Sequence, residues 1–413
     1  MQEKNVTEIL SELVKIKSIS SDKNHIADVK KSAEFVEKLF LELGLQTKIA
    51  TSGNGRPAVL AQTEINPDRK TVLLYAHHDV QPVGDINKWE TDPFNPEIIN
   101  GRLFGRGSGD NKAGVVIHHE VVKELMKDLP VNIKIFIEGE EEIGSPCMAQ
   151  FLDEFNKELE ADVIVIADSG NIRIGTPTVT TSLRGLVDGF IEVDQPMRPV
   201  HSGVGGGVVP DAFMVLSKII ASFHNEKGEL QIEGLTSSDM DVLELKEEEI
   251  KKIFGSEDIN LFELDSISKR LWLEPALSIL AIDAPSTKEA VNLVIPNAKA
   301  KVSLRLPPTE DPEHAMKMLE EHIMKNVPWG ANVRFIPEAK GSGIVADPNK
   351  EFTKKLVQNF EEVFNTDAAY MGVGGSIPFA NDFVEKFPNA ELVLIGAADE
   401  EMGNAHAPNE SVQ

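Results

Sequence analysis

Short apolar runs alternate with helical segments along much of this chain, and this alternation limits the folds that it can adopt. The strand-like runs are 72–76, 131–137, 163–167 and 392–395, and the helical segments include 24–43, 113–126 and 147–159. Such alternation is typical of an α/β domain, namely a doubly wound sheet with mostly parallel strands. In that architecture, ligands bind beyond the carboxyl ends of the strands.

The pattern changes at about residue 180. A strand over 185–193 leads through a glycine-rich stretch to a helix after Pro210. Two strands then follow, over 276–282 and 299–306, and after them a helix over 312–324 and a strand over 332–336. This order predicts an inserted α+β unit of βαββαβ type. Because 413 residues exceed the usual single core, we expect a discontinuous first domain, 1–179 and 339–413, and an inserted domain, 180–338.

Charge and composition narrow the class of protein. The chain has 41 basic and 67 acidic side chains, a net charge of −26, so a nucleic-acid backbone would be repelled and nucleic acid is not expected as a partner. The sequence shows no signal peptide and no apolar run long enough to span a membrane, so no membrane partner is expected. Cys147 is the single cysteine, which suits a reducing compartment. The prediction is a soluble, cytoplasmic protein.

Five segments rich in carboxylates and histidine follow apolar runs. They are 77–79, 107–110, 138–142, 168–170 and His406. Such side chains are the ligands that zinc, manganese or cobalt prefer, and more than four of them together are enough for two ions. The pattern therefore predicts a two-metal hydrolase.

Each segment also has a purely structural interpretation. His77 could be a strand-end histidine, and Asp110 could cap the helix that follows it. An acidic turn before a helix would explain one glutamate of 140–142 but not three. With a cation present, one glutamate can be a ligand and its neighbour a general base for a metal-activated water. Asp79 could then bond the second ring nitrogen of His77.

The ordered motifs HxD, GSGDNK, EEIGS, IADSG and NAHAPNE resemble the M20 family of metallopeptidases over nearly the whole chain. Asp168, where some branches have glutamate, and the sequences at 184–185 and 201–204 are most similar to the cytosolic dipeptidase and carnosinase-like branch. The resemblance implies that His77 and Asp168 hold one metal, that Glu142 and His406 hold the other, and that Asp110 bridges them. It implies Glu141 as the base and Asp79 as the residue that orients His77.

The resemblance also implies roles outside the metal ligands. The inserted unit would be a lid and dimerisation domain, so a homodimer through 180–338 is expected. His201 would reach the partner subunit's active site and stabilise the oxyanion, and Arg305 would bind the substrate carboxylate. Gly375 and Ser376 belong to a loop that would complete the substrate pocket. From the sequence alone, two structural interpretations remain open: His201 could be an ordinary loop histidine, and Arg305 could be an arginine that faces solvent.

The expected function is a dipeptidase with two divalent ions, zinc before manganese or cobalt. One alternative is an N-acyl amino acid amidohydrolase of the aminoacylase, desuccinylase or deacetylase type. A second is an acidic metal-binding protein without hydrolase activity. A third, an inactive family member, is disfavoured by the intact Glu141–Glu142 pair. Family members normally continue for a final helix after the last histidine, whereas seven residues follow His406, so a truncated chain is also an expectation.

Overall fold

The computed structural model describes residues 5–375 and 378–413. In chain order the strands are β1 Gln46–Ala50, β2 Ala58–Gln62, β3 Thr71–His77, β4 Glu97–Ile99, β5 Arg102–Phe104, β6 Asn132–Glu138, β7 Val163–Ile166, β8 Gly170–Asn171, β9 Thr178–Leu183, β10 Gly185–Asp194, β11 Val200–His201, β12 Ala276–Asp283, β13 Leu293–Val294, β14 Asn297–Leu306, β15 Val333–Gly341, β16 Ile344–Val345, β17 Ala369–Val373, β18 Glu391–Leu394, β19 Ala398–Asp399 and β20 Ser411–Val412. The α-helices are α1 Val6–Val14, α2 Ile26–Glu42, α3 Lys112–Leu125, α4 Met148–Glu154, α5 Asn156–Leu159, α6 Ser202–Gly205, α7 Ala212–Ala221, α8 Glu247–Ile253, α9 Ile267–Trp272, α10 Pro312–Lys325, α11 Glu351–Phe364 and α12 Pro378–Lys386.

The larger sheet combines a parallel centre with antiparallel edges. Within the described residues its order is β1-β2-β6-β3-β7-β18-β9-β16, and β17 also pairs with β9. Strands β6, β3, β7 and β18 are parallel to one another, whereas β1, β2 and β16 pair in antiparallel fashion. The carboxyl ends of the four central strands therefore meet at one edge of the sheet.

Residues of the central strands alternate between two apolar layers. In β3, Val72, Leu74 and Ala76 face a layer formed with α1, α2 and α3, while Leu73 and Tyr75 face a layer formed with α4 and α12. This alternation follows from the two-residue period of a strand. Because helices cover both faces, the strands are apolar almost throughout, and the predicted doubly wound fold class is confirmed.

The second sheet is antiparallel and has the order β12-β14-β10-β15. Helices α7 and α10 pack on one of its faces, where Leu216 and Leu319 meet Val187 and Ile191 of β10. Taken in chain order, β10, α7, β12, β14, α10 and β15 form the predicted βαββαβ unit.

Several element boundaries differ from those that the sequence predicts. The expected helix over 147–159 is two helices, α4 and α5, that meet at Phe155. Strand β15 continues to Gly341, beyond the predicted 332–336. Strands β2 and β9, which the sequence analysis does not predict, belong to the larger sheet. Only Arg184 separates β9 from β10, so a single residue links the two sheets at this point.

Two of the polar segments do not directly follow a strand of the larger sheet. The segment that carries Asp110 follows β5, which pairs with β4 and β20 in a separate small sheet. His406 follows β19, which pairs with β8. Loops therefore bring these two segments to the edge where β3, β6 and β7 end.

Candidate metal centre

His77 is the last residue of β3 and is completely buried. Its Nδ1–H donates to the carbonyl oxygen of Asp79, 3.1 Å away, and Nδ1 lies 3.3 Å from Asp79 Oδ1. Its Nε2 lies 3.1 Å from Asp110 Oδ1 and 3.3 Å from Asp168 Oδ1. With the proton on Nδ1, the Nε2 lone pair points toward two carboxylates, which is a suitable arrangement for holding a cation between them.

Asp79 connects the end of β3 to the glutamate segment. Its Oδ1 accepts a hydrogen bond from Glu141 N at 3.2 Å, and its Oδ2 accepts one from Glu142 N at 3.1 Å. Asp79 is fully buried. The Asp79 carboxylate therefore has two contacts: it faces the imidazole ring of His77, and it holds the short 3-10 turn Glu141–Ile143 next to that ring.

The three consecutive glutamates have different surroundings. Glu140 is buried, and its two oxygens accept hydrogen bonds from Arg56 N and Cys147 N, at 2.8 and 2.9 Å. Glu142 Oε1 accepts from Gln81 N, whereas Glu142 Oε2 is buried and has no hydrogen-bond partner. The Glu141 carboxylate approaches the cluster, with Oε2 3.9 Å from His77 Nε2. Glu140 is thus a structural residue, and the other two face the cluster.

Asp110 is common to two groups of side chains. Its Oδ1 faces His77, and its Oδ2 lies 2.9 Å from His406 Nε2. The ligand-type atoms of His77, Asp110 and Asp168 lie within 4.8 Å of one another, as do those of Asp110, Glu142 and His406. The geometry is that of a carboxylate that can contact two cations, one through each oxygen.

The electrostatics of the cluster suit positive charge. Burial, with repulsion from Asp168 and Glu142, raises the pKa of Glu141 to about 9. Burial and the Asp110 charge raise the pKa of Glu142 to about 7. Burial alone would lower the pKa of His77, but its carboxylate neighbours raise it well above the usual value. Bound cations would relieve this repulsion between buried carboxylates.

The contact between His406 and Glu142 tests whether divalent ions fit. Nε2 of His406 lies 3.0 Å from Glu142 Oε2, yet the contact lacks hydrogen-bond geometry. A buried carboxylate oxygen without a hydrogen bond is costly unless a cation or water satisfies it. The nitrogen and oxygen donors present match those that zinc, manganese and cobalt accept, so the residues fit such ions.

The loop that carries Asp110 is anchored on several sides. Asn111 Nδ2 donates to the carbonyl oxygen of Ala167, next to Asp168, at 2.5 Å. Lys112 is fully buried, and its Nζ donates to the carbonyl oxygens of Leu13 and Ile16 at 2.9 and 2.8 Å. These bonds connect the loop to β7 and to the end of α1.

Two buried residues of this region, Arg106 and Glu410, have no role in the sequence analysis. They form an ion pair, and the Glu410 carboxylate also accepts hydrogen bonds from backbone amides of the loop before Asp110. The sequence does contain an indication of a role for Glu410, because Glu410 is the last residue of the motif NAHAPNE. Its partners lie about 300 positions earlier, so the pairing requires the fold.

The residues expected to contact substrate lie outside both groups. Arg305 is half-buried on β14, between the fully buried Leu304 and Leu306. His201 is exposed, and its Nδ1 accepts a hydrogen bond from Gly203 N at 3.0 Å. Gly375 is exposed at the end of the described segment, and Ser376 lies outside the described residues. In the described chain, no hydrogen bond or ion pair joins His201 or Arg305 to the cluster.

A separate cavity of about 640 Å³ lies between α3, α11 and the larger sheet. Its walls are mainly aliphatic and aromatic, including Ile117, Val121, Leu356 and Phe360, and none of the clustered ligand-type residues lines it. Three titratable side chains also line it, those of His118, Arg173 and Asp399, but they do not form a group of ligand-type residues in the described chain. The candidate functional site is therefore the carboxylate and histidine cluster.

The doubly wound sheet, the inserted α+β unit and the paired side-chain groups define an α/β protein with a candidate two-ion centre. Residues 73–413 match the sequence profile of peptidase family M20/M25/M40. The chain is 32% identical to the cysteinylglycine-S-conjugate dipeptidase of Corynebacterium striatum over 412 residues, which cover 98% of this chain and 90% of the relative. It is 30% identical to the Cys-Gly metallodipeptidase dug1 of Schizosaccharomyces pombe, with 98% and 90% covered.

The fold is similar to a crystal structure of human carnosine dipeptidase 1. The TM-score is 0.80, with 25% identity, 98% of this chain covered and 91% of that chain. The protein belongs to peptidase family M20/M25/M40 and is a hydrolase that acts on peptide bonds. The resemblance to the dipeptidase and carnosinase-like branch is thereby confirmed.

Among the helices in residues 5–375 and 378–413, none has both the length and the apolar character needed to cross a bilayer. The cytoplasmic location stays a prediction.

Proposed function

We propose that this protein is a dipeptidase that uses two divalent metal ions, most favourably zinc, with manganese or cobalt as the alternatives. His77, Asp110 and Asp168 would hold one ion, and Asp110, Glu142 and His406 the other. The observation that carries the proposal is the sharing of Asp110, which presents one oxygen to His77 and the other to His406. Asp110 would therefore help to hold both ions, and a pair of bound ions would assist attack on a carbonyl group.

Bound divalent ions would polarise the scissile carbonyl and lower the pKa of the attacking water. Glu141 belongs to neither group of ligands but lies beside both, so it is the base in this proposal. Its carboxylate accepts a proton from the water as the water oxygen bonds to the carbonyl carbon. The same carboxyl group then donates that proton to the nitrogen as the C–N bond breaks. Asp79 holds His77 and the Glu141 backbone in place during these steps.

The preference for dipeptides rests on the relatives. Two of the reported relatives are named as dipeptidases of cysteinylglycine-type substrates, and the similar crystal structure is that of carnosine dipeptidase. In the proposal, Arg305 binds the free carboxylate of such a short substrate, and the loop of Gly375 and Ser376 completes the pocket. A guanidinium group suits this task because it can bind a carboxylate through two parallel hydrogen bonds.

We also propose the division into a catalytic domain, 1–179 and 339–413, and a lid and dimerisation domain, 180–338. Near His201, the side chains of Val204, Val208 and Met214 are 78%, 80% and 53% exposed. These exposed apolar side chains are close to one another in the sequence, and exposed apolar patches are typical of interaction surfaces. They support a homodimer in which His201 would act on the partner subunit's substrate.

Replacing Glu141 with Gln tests the proposed base. We expect turnover to fall by about 10²–10⁴-fold, since the amide cannot accept the proton, while two ions per chain remain bound. Steady-state kinetics and elemental analysis of the same preparation give the two values. Glu140→Gln is the matched control, because Glu140 bonds only backbone amides in the described chain, and it should retain most of the turnover. If Glu141→Gln kept wild-type turnover, another residue would have to be the base.

A further inference from the structure

The side chain of Glu410 is completely buried and joins two separate loops. Its Oε1 accepts hydrogen bonds from Gly109 N and Asp110 N, both at 3.0 Å. Its Oε2 accepts from Gly107 N at 3.0 Å and from the guanidinium of Arg106. Four donors from residues 106–110 thus converge on one carboxylate.

The loop that receives Glu410 has little rigidity of its own. Gly107 and Gly109 flank Ser108, and Gly107 has a φ of +84°, a conformation that glycine adopts at low cost. Three backbone amides that point at one anion hold such a loop in a single shape, and the charge of Arg106 balances the buried carboxylate. Asp110 is the last of the residues held in this way.

The other loop carries His406, four residues before Glu410. The His406 side chain is 57% exposed, and in the described part of the chain its ring nitrogens have polar contacts with Asp110 and Glu142 alone. Backbone bonds strengthen the connection, since Gly105 N donates to the carbonyl oxygen of Glu410 and β20 pairs with β5 directly after it. The position of His406 relative to Asp110 therefore depends on the Glu410 attachment.

We propose that Glu410, together with Arg106, is a positioning residue. It fixes the loop of Asp110 relative to the loop of His406 and so preorganises the second ion site, which consists of Asp110, Glu142 and His406. This inference rests on the proposed two-ion function. His77 and Asp168 adjoin strands of the larger sheet, so the first site depends less on this attachment. The second site takes both Asp110 and His406 from the two loops that Glu410 joins.

The test is a titration of metal-stripped protein with Co²⁺, followed by calorimetry and by the visible absorption of the bound ion. The wild-type chain should bind two equivalents. In Glu410→Gln, an NH₂ group would face backbone amides in place of one oxygen. Compared with the wild type, we expect this variant to bind one equivalent of Co²⁺ roughly 10–100-fold more weakly, and we expect a smaller change in affinity for the other equivalent. Turnover should recover in excess Co²⁺.

Three further variants make the test specific. Arg106→Lys leaves the three backbone amides on Glu410 and should weaken the same equivalent less. Glu410→Asp retains the charge, and it replaces Glu410→Gln in the titration if Glu410→Gln does not fold. Glu391→Gln is the matched control, because Glu391 also accepts backbone amides, from Phe352 and Thr353 at the start of α11, away from the cluster. It should reduce stability without changing Co²⁺ affinity.

The outcomes separate this inference from the proposed function. A wild-type chain that does not bind two equivalents would contradict the proposed function itself. Two equivalents in the wild type and unchanged affinities in Glu410→Gln and Glu410→Asp would overturn the inference alone. An equal loss of both equivalents together with a matching loss of thermal stability would also overturn it, since Glu410 would then serve folding in general.

Discussion

Glu140, Glu141 and Glu142 are adjacent in the sequence but have different environments. Their residue types predict a cation site, since like charges after an apolar strand need compensation. Residue types alone do not separate the three roles. The family resemblance assigns Glu141 and Glu142, and the structural role of Glu140 follows from the 3-10 turn and from the backbone amides of Arg56 and Cys147. Residue chemistry therefore predicts the kind of site, and local geometry decides the role of each member.

His118 is buried in α3, next to β3. Its Nε2–H donates to the carbonyl oxygen of Tyr75 at 2.9 Å. Burial lowers the pKa of His118 to about 4. Because the unfolded chain takes up this proton below a pH of about 6.5, His118 removes stability progressively as the pH falls from about 6.5 toward 4.

Replacing His118 with Asn removes this titration. The loss of unfolding free energy between pH 7.5 and 5 should be about 2 kcal/mol smaller in the variant than in the wild type. Urea unfolding of both proteins in the metal-stripped state gives the two differences, so that changes at the candidate ion ligands cancel. Equal slopes for His118→Asn and the wild type would show that His118 does not titrate as stated.

At the scale of elements, the buried central strands were the most predictable part of the fold. The runs 72–76 and 163–167 differ from β3 and β7 by one or two residues, because continuous apolar stretches mark strands covered on both faces. Strand β9 was not predicted, since Thr178, Thr180 and Ser182 are polar although they are buried. The prediction of a single helix over 147–159 is wrong at Phe155, where the backbone is not helical (φ −112°, ψ 27°) and two short helices meet.

The inserted unit gives a prediction about His201, which lies on β11 and, in the described part of the chain, has no hydrogen bond or ion pair with the cluster. His201→Asn and Glu141→Gln should each be nearly inactive as homodimers. Mixed dimers would contain one site with both Glu141 and a partner's intact histidine. Random mixing should therefore restore about one quarter of wild-type turnover if the histidine donates across a twofold interface.

This complementation is measured on co-refolded mixtures, with the proportion of mixed dimers determined by mass. His314→Asn serves as the control, because His314 is a half-exposed histidine of the same unit that pairs with Glu310. The His314→Asn homodimer should retain wild-type turnover without mixing. Mixed dimers that form but show no restored turnover would exclude a role for His201 in the partner's site.

At the scale of the whole molecule, the candidate site combines segments that are far apart in the sequence. His77, Glu142 and Asp168 could be predicted to meet because parallel strands end at one edge of a sheet. The approach of Asp110 to His406 follows from the family resemblance and not from the strand pattern, since both residues lie on loops outside that sheet, which Glu410 joins. The motif order identified the residues, whereas their mutual distances required the tertiary structure.

The central claim is that two divalent ions bound by this cluster enable hydrolysis of dipeptides. The most direct measurement is amide hydrolysis by EDTA-stripped protein, before and after addition of zinc, manganese or cobalt, on parallel panels of dipeptides and N-acyl amino acids. We predict no cleavage by the stripped protein and restored cleavage of dipeptides after metal addition, with N-acyl amino acids left intact. Cleavage confined to N-acyl amino acids, or no cleavage with any of the three metals, would contradict this account.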